Sequence, residues 1–152
     1  MKKRLKRIAS LILGIAFVVI FFAGCGAKAD KDSPYIGTWP AFAMSAEGMT
    51  VSFDRNNPEG VAINILEDGN IELKLGKDTQ TGKWKEVENG IEISSGKDKG
   101  TGTLEDGVLT LDIEGSKIHF HKQDAEATAK EKEIVDGATM NMNVNKLLEL
   151  ME

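Results

Sequence analysis

The chain has little of several residue types on which site chemistry depends. Its 152 residues contain one cysteine, two histidines and one tyrosine. A single cysteine excludes a disulfide bond within the chain and also a cysteine-rich metal site. The Ser-His-Asp order and the nucleophile elbow of hydrolases are absent as well. The sequence therefore predicts no catalytic residue, no metal ligand and no cofactor, and so a protein that is not an enzyme.

The N-terminus carries the most specific chemical pattern in the chain. Five basic residues occur in the first seven positions, and residues 8–22 follow without a charge. This is the layout of a secretory signal. Two small residues then precede Cys25. We expect residues 1–24 to be a removable signal peptide. An uncleaved membrane helix is the alternative, because residues 8–27 are long enough to cross a hydrocarbon core of ~30 Å.

The stretch Phe22-Ala23-Gly24-Cys25 resembles the lipobox of bacterial lipoproteins, in which an aliphatic and two small residues precede an invariant cysteine. Phe22 stands where leucine is usual. The resemblance implies a diacylglyceryl group on the sulfur of Cys25, with cleavage just before it. Two acyl chains hold a protein stably on a bilayer, and the basic residues before the apolar run stay inside. The predicted location is therefore the extracytoplasmic side of the cell membrane.

The exported part of the chain is strongly acidic. Residues 1–24 contain five basic and no acidic residues, which leaves 14 basic against 24 acidic residues and a net charge of −10. Nucleic acids and anionic lipid headgroups would repel such a protein, so we predict no nucleic-acid partner and no second, electrostatic membrane contact. The 128 residues that remain suit one domain.

Short alternating runs over residues 35–122 predict an all-β domain. Residues 49–53, 71–75 and 109–113 each carry an apolar side chain at every second position, the pattern of half-buried antiparallel strands. Asp-Gly or Asn-Gly pairs, each preceded by Glu, occur at residues 67–69, 88–90 and 105–107. Such pairs are typical of hairpin turns, and a new apolar run follows each of them. We expect about eight or nine strands in an up-and-down meander that closes into a barrel, because closure removes unpaired edges.

The segments on either side of the barrel have different compositions. Residues 25–34 are small and polar and predict a flexible tether. Residues 123–152 are rich in Ala, Glu and Lys and predict a helical tail, with a first helix over 124–135 and a second that carries an apolar stripe. The stripe consists of Val144, Leu147, Leu148 and Met151. It either packs on the barrel or joins Met140 and Met142 in an adhesive surface.

Gly37-Thr38-Trp39 is similar to the Gly-x-Trp motif that opens lipocalins and related calycin barrels. The resemblance covers residues 35–122 and implies a lipocalin-like barrel, close to the small lipocalin-like lipoproteins of Gram-positive bacteria. The Thr-Asp-Tyr motif of true lipocalins is absent. The family's terminal arginine, which packs over the tryptophan, is absent too, and Lys122 is its nearest substitute. The resemblance names an architecture and no ligand.

Trp39 and Trp84 are the candidate site residues of the barrel, as core side chains or as rings that stack on a ligand in the barrel mouth. An interior of ~8 strands is just wide enough for side chains to fill, so we expect a filled or nearly filled barrel. Any cavity is expected beside the small residues Gly37, Ala41, Ala43 and Ala62, with a small ligand.

His119 and His121 are the remaining candidate constellation. Residues i and i+2 of a strand share a face, so the two imidazoles would reach one Zn²⁺ together with Asp112. Two histidines are too few for the usual site, and the sequence favours an exposed polar face opposite Ile118 and Phe120.

Two functions from different classes follow from these patterns. The first is a lipid-anchored, non-enzymatic surface protein whose barrel binds a small apolar ligand or an envelope protein. The second is a structural or interaction lipoprotein with a filled barrel and no small-molecule ligand. A cavity inside the barrel distinguishes them.

Overall fold

The computed structural model of the protein describes residues 30–55, 60–143 and 149. The predicted signal peptide, the lipidation site Cys25 and the four stripe residues of the tail lie outside the described residues. No helix in the described part of the chain has the length and apolar character needed to cross a lipid bilayer.

The described residues form ten strands and one helix. The strands are β1 (Gly37–Ala46), β2 (Met49–Phe53), β3 (Val61–Ile65), β4 (Asn70–Leu75), β5 (Asp78–Val87), β6 (Gly90–Ser95), β7 (Asp98–Glu105), β8 (Val108–Ile113), β9 (Ser116–His121) and β10 (Met140–Met142). Helix α1 (Ala129–Asp136) lies between β9 and β10.

Eight of the strands close into an antiparallel barrel. Strands β3 to β9 pair neighbour to neighbour, and β1 joins the two ends by pairing with both β3 and β9. The predicted all-β class and the closed up-and-down barrel are confirmed. Strand β2 interrupts the meander: it pairs with Ala43–Ala46 of β1, while β3 pairs with Gly37–Pro40.

The hairpin turns divide the barrel into two ends. The turns at 67–69, 88–90 and 105–107 lie at the end where the chain enters β1, which we call the tether end. The β1–β2, β4–β5, β6–β7 and β8–β9 turns lie at the opposite end, which we call the mouth end. The three Glu-x-Gly turns of the sequence therefore share one end and make it acidic.

Only one of these three turns has the predicted type I′ geometry. Asp106 and Gly107 have φ values of 45° and 73°, as both central residues of that turn require. At 67–69 and 88–90 the glycine alone has a positive φ. Glu-Gly pairs at the mouth end do have two positive φ values, at Glu47-Gly48 and Glu114-Gly115. Turns with two positive φ values therefore also form at Glu-Gly pairs, and not only at Asp-Gly and Asn-Gly pairs.

The interior of the barrel is packed with apolar side chains. Strand alternation sends them inward, and many of them are almost without solvent exposure. The largest of the most completely buried side chains in the interior cluster are Trp39, Phe120, Ile63, Ile65, Ile91 and Leu109. Burial of this surface is the main stabilising term for a domain without disulfides.

Helix α1 covers the outside of the barrel. It begins after Thr128, whose hydroxyl accepts a hydrogen bond from the amide of Glu131 at 3.2 Å. Ile134 and Val135 pack against a second, outer cluster of Phe42, Ala43 and Val108. The helix starts five residues later than the predicted 124, because the hydroxyl of Thr128 caps it there.

The tail after α1 is not entirely helical. Strand β10 pairs in parallel with β2, with Met140 opposite Val51 and Met142 opposite Phe53. Both methionines are half-buried, and Met142 packs against the interior cluster. The sequence patterns did not predict this strand between the two predicted helices of the tail, where the open edge of β2 offers backbone partners.

Truncation tests how much β10 contributes to stability. We expect a chain that ends at Gly137 to lose about 1–2 kcal/mol of unfolding free energy, a fall of roughly 4–10 °C in Tm, because the edge of β2 and the contacts of Met142 are exposed. Differential scanning calorimetry measures this. A chain that ends at Asn143 retains β10 and serves as the control. Equal midpoints for the two truncations would contradict the packing of β10.

Candidate functional site

The described barrel has an apolar cavity at its mouth end. Its volume is about 60 Å³, and it is partly open to solvent. Its wall is formed mainly by Ile63, Ile71, Leu73, Ile93, Leu111, Ile113, Ile118 and Phe120. Polar residues line it next to the turns, namely Gln80, Ser94, Ser95, Asp98 and Lys99. The site is therefore an apolar recess with a polar rim.

Glycine at inward positions of β5 and β7 explains where the cavity lies. Every second residue of a strand faces inward, and Trp84 on β5 and Leu104 on β7 fix that phase. In the same phase, Gly82, Gly100 and Gly102 supply no side chain. Isoleucines from the neighbouring strands take up part of this space, and the remainder is the cavity. The signal was present in the sequence as glycines two residues apart in a strand.

Substitution of Gly102, which does not line the cavity, tests how closely the neighbouring side chains pack against these glycines. A Cβ atom there would lie 2.7 Å from both Ile91 Cγ1 and Leu111 Cδ2, so we expect Gly102→Ala to cost about 1–3 kcal/mol through overpacking. Thr101→Ala, at the adjacent exposed position, is the control and should change stability by less than about 0.5 kcal/mol. Urea denaturation of both variants measures the difference. If Gly102→Ala were as stable as Thr101→Ala, the side chains around residue 102 would be able to move and accommodate the added methyl group.

The two tryptophans lie in the core at the tether end. Trp39 and Trp84 are 2% and 4% exposed. The indole of Trp39 donates a 2.8 Å hydrogen bond to the carbonyl of Tyr35, and that of Trp84 donates one of 2.8 Å to the carbonyl of Leu66. Neither ring lines the mouth cavity. Their position is that of core side chains with satisfied polar atoms.

Lys122 occupies the position over Trp39 that the resemblance assigned to a terminal cation. Its Nζ lies 5.4 Å from the centroid of the indole ring. The same ammonium donates to the carbonyl of Pro34 at 3.5 Å. A cation at this distance is attracted by the face of the ring. Lys122 therefore ties the segment before β1 to the end of β9 and covers the tether end.

The cavity does not lie where the small residues predicted it. Ala43 packs in the outer cluster under α1, and Ala41 is part of the interior cluster. At Gly37, a Cβ atom would lie 3.2 Å from Lys122 Cε. The predicted location was wrong, because neither these residues nor Ala62 line the cavity.

His119 and His121 face outward as predicted, but they are buried. They are 8% and 5% exposed, and each ring centroid lies 6.2 Å from that of Phe42, beside which α1 packs. The expectation of an exposed polar face was wrong, because the helix covers it. Within the described residues no group of three His, Cys, Asp or Glu side chains is placed to hold a metal. Asp112 instead accepts a hydrogen bond from the amide of Gly115.

Hydroxyl groups satisfy both ring nitrogens of His119. Ser45 Oγ lies 3.1 Å from Nε2, and Thr110 Oγ1 lies 3.0 Å from Nδ1. Burial, followed by the positive charges of Lys117 and Lys130, lowers the pKa of His119 to about 4. The imidazole is therefore neutral at physiological pH.

An ion pair that the sequence did not indicate joins α1 to the chain after β2. Arg55 Nε lies 2.6 Å from Glu131 Oε1, and a second guanidinium nitrogen donates to the carbonyl of Ala125. Glu131 is only 3% exposed. No short-range pattern in the sequence links an arginine in a loop with a glutamate 76 positions later.

Comparison with known proteins found no matching family model, no matching curated protein and no matching solved structure. The fold itself is that of a closed antiparallel barrel of eight strands, with a buried tryptophan on the first strand and a cation over it. This architecture is compatible with a lipocalin-like domain. The case for a function rests on the barrel and its mouth cavity.

Proposed function

We propose that this chain is an exported, lipid-anchored surface protein that works by binding, without catalysis, and that its barrel holds a small ligand at the mouth end. The observation that carries the proposal is the apolar cavity at that end, a recess of the described barrel that suits a small ligand. Binding sites for small molecules are concave and mostly apolar, with a few polar groups that fix orientation. The mouth cavity has this composition.

The path of the chain supports the proposal. The segment that leads from Cys25 enters the barrel at the tether end, where Ser33 donates a 2.8 Å hydrogen bond to Glu86 and Tyr35 is buried. The cavity lies at the opposite end. With an anchor on Cys25, the barrel is attached through its tether end, and the mouth lies at the end away from the attachment point, where a solute can reach it.

The small size of the cavity favours a second candidate, an interaction lipoprotein without a small-molecule ligand. Pockets for drug-sized ligands are roughly 300–1,000 Å³, several times the 60 Å³ found here. The ligand of the first candidate is therefore a small molecule or one narrow group of a larger one. In the second candidate the barrel is a rigid support for contacts of its outer surface.

Native mass spectrometry separates the two candidates. The protein used is residues 25–152 with Cys25→Ser, exported in the producing organism behind a cleavable signal without a lipobox and purified from its envelope. The first predicts a bound small molecule, lost when Ile93→Phe fills the cavity. The second predicts a mass equal to that of the chain alone in both proteins. A ligand that persists in Ile93→Phe would place the binding site elsewhere and contradict the mouth site.

Lipid anchoring has a test of its own. In wild type we expect the protein in the membrane fraction, with a mass that shows loss of residues 1–24 and addition of a diacylglyceryl group. Cys25→Ala should abolish this form, since the exported part of the chain has a net charge of −10 and anionic lipids repel it. Ala23→Ser, which retains a small residue before the cysteine, is the control. A Cys25→Ala protein with the wild-type location and lipid mass would refute the anchor.

A further inference from the structure

The rim of the mouth cavity carries a negative charge, although the wall of the cavity is apolar. Asp98 is the first residue of β7 and shares the inward phase of Gly100 and Gly102, so its carboxylate is on the inner side of the mouth. It is half-buried. Within the described part of the chain Asp98 forms no ion pair. A carboxylate thus stands beside an apolar recess without a protein cation to neutralise it.

The cations of the mouth end lie outside the recess. Lys99 contributes to the cavity wall, but it follows Asp98 in the strand and therefore alternates outward, where its side chain is exposed. Lys77 and Lys97 are exposed residues of the β4–β5 and β6–β7 turns, and Lys117 is exposed on β9. The other inward side chains of the rim that line the cavity are the neutral Gln80 and Ser95, while Asp78 has the same phase on β5 but is exposed and lies outside the lining.

The polar groups of the rim differ in whether they already form hydrogen bonds within the protein. Ser95 Oγ already donates to the carbonyl of Thr81 at 3.2 Å. The carboxylate of Asp98 accepts hydrogen bonds only, so a ligand group that faces it must donate and gains most when it is positive. The strongly acidic exported chain further raises the local concentration of cations.

We propose that the mouth site selects a small organic cation, an alkylammonium whose short apolar group fills the recess while its nitrogen lies against Asp98. This inference rests on the proposed binding function and names the chemical class of the ligand. The size of the recess limits the apolar group. A cavity of about 150 Å³ accommodates benzene, so 60 Å³ suits about three carbon atoms.

The test uses the mature chain with Cys25→Ser and three probes of equal length, n-propylammonium, n-propanol and propionate. Titrations followed by amide NMR shifts report on the site directly, because Gly82 and Gly100 belong to its wall. We expect propylammonium to bind about two- to fivefold more tightly than propanol, the range of a partly exposed ion pair, and propionate to bind most weakly. Raising the salt concentration to 1 M should remove the preference without weakening the binding of propanol.

Two variants locate the preference. Asp98→Asn should bind propylammonium and propanol equally. Glu114→Gln removes the same charge from the exposed β8–β9 turn at the mouth end, outside the cavity wall, and should retain the preference. Ile93→Phe should abolish the binding of every probe. Thermal melts check that each variant is folded, and the salt titration of the wild type tests the charge effect independently of any variant.

The outcomes test the selection of a cation separately from the existence of the binding site on which this inference rests. Equal binding of the three probes by the wild type, or an unchanged preference in Asp98→Asn, overturns the selection of a cation and leaves the binding site standing. Absence of shifts at Gly82 and Gly100 with all three probes overturns the binding site as well.

Discussion

Trp39→Ala is expected to lower the free energy of unfolding by about 3–5 kcal/mol, a large part of the stability of a domain of this size. The indole is 2% exposed in the interior cluster and supports the carbonyl of Tyr35 and the ammonium of Lys122. Its removal leaves a cavity, an unpaired buried carbonyl and a cation without its ring. We expect the variant to be largely unfolded at 37 °C. Urea denaturation followed by far-ultraviolet circular dichroism measures the loss of unfolding free energy.

Trp39→Phe is the matched control for this loss. It retains an aromatic ring in the core and under Lys122 and loses only the indole donor and part of the volume. A cost of about 1–2 kcal/mol is expected. If Trp39→Ala proved no more destabilising than Trp39→Phe, the ring would not be the anchor of the tether end.

Acidification is expected to remove up to about 3 kcal/mol of stability through His119. Its pKa is about 4 in the folded protein against an ordinary value of 6.5, so the unfolded chain binds the proton more readily. The contribution is fully present above pH 6.5, declines as the pH falls from 6.5 to 4, and changes no further below pH 4. Burial is the main cause of the shift, and Lys117 and Lys130 add to it.

His119→Gln separates this effect from the titration of carboxylates. The amide side chain donates and accepts hydrogen bonds, so it suits the hydroxyls of Ser45 and Thr110, and it does not titrate. Urea midpoints are measured for wild type and variant at intervals from pH 7.5 to pH 4. The midpoint of the wild type should fall relative to that of the variant as the pH decreases, because only the wild type has the imidazole of His119 to protonate. Parallel curves would show that His119 does not contribute to acid sensitivity.

The architecture was predictable because strand alternation and turn residues are local patterns. Residues 71–75 and 109–113 are strands in the structure, as their period of two indicated. Closure of the barrel was expected because a closed sheet has no unpaired edge strands, and β1 does pair with β9. The extra strand β10 was not predictable, since three residues around Asn141 have no periodicity and their partner is supplied by β2.

The position of the cavity was not predicted, because it depends on which large side chains point toward a small residue. The alanines near β1 are surrounded by bulky neighbours, whereas Gly82 and Gly100 face a region that their neighbours only partly fill. The burial of His119 and His121 depends in the same way on α1, which follows β9 closely in the chain but packs against Phe42, a residue distant in sequence.

The seam between β1 and β9 sets the order in which the barrel can form. Ser45 and His119 meet across 74 positions of sequence, whereas each later hairpin joins residues close in the chain. Contacts between distant residues carry a large loop-closure entropy and form slowly. The first strand therefore lacks its last neighbour until nearly the whole domain has been synthesised, and closure of this seam is expected to limit the folding rate.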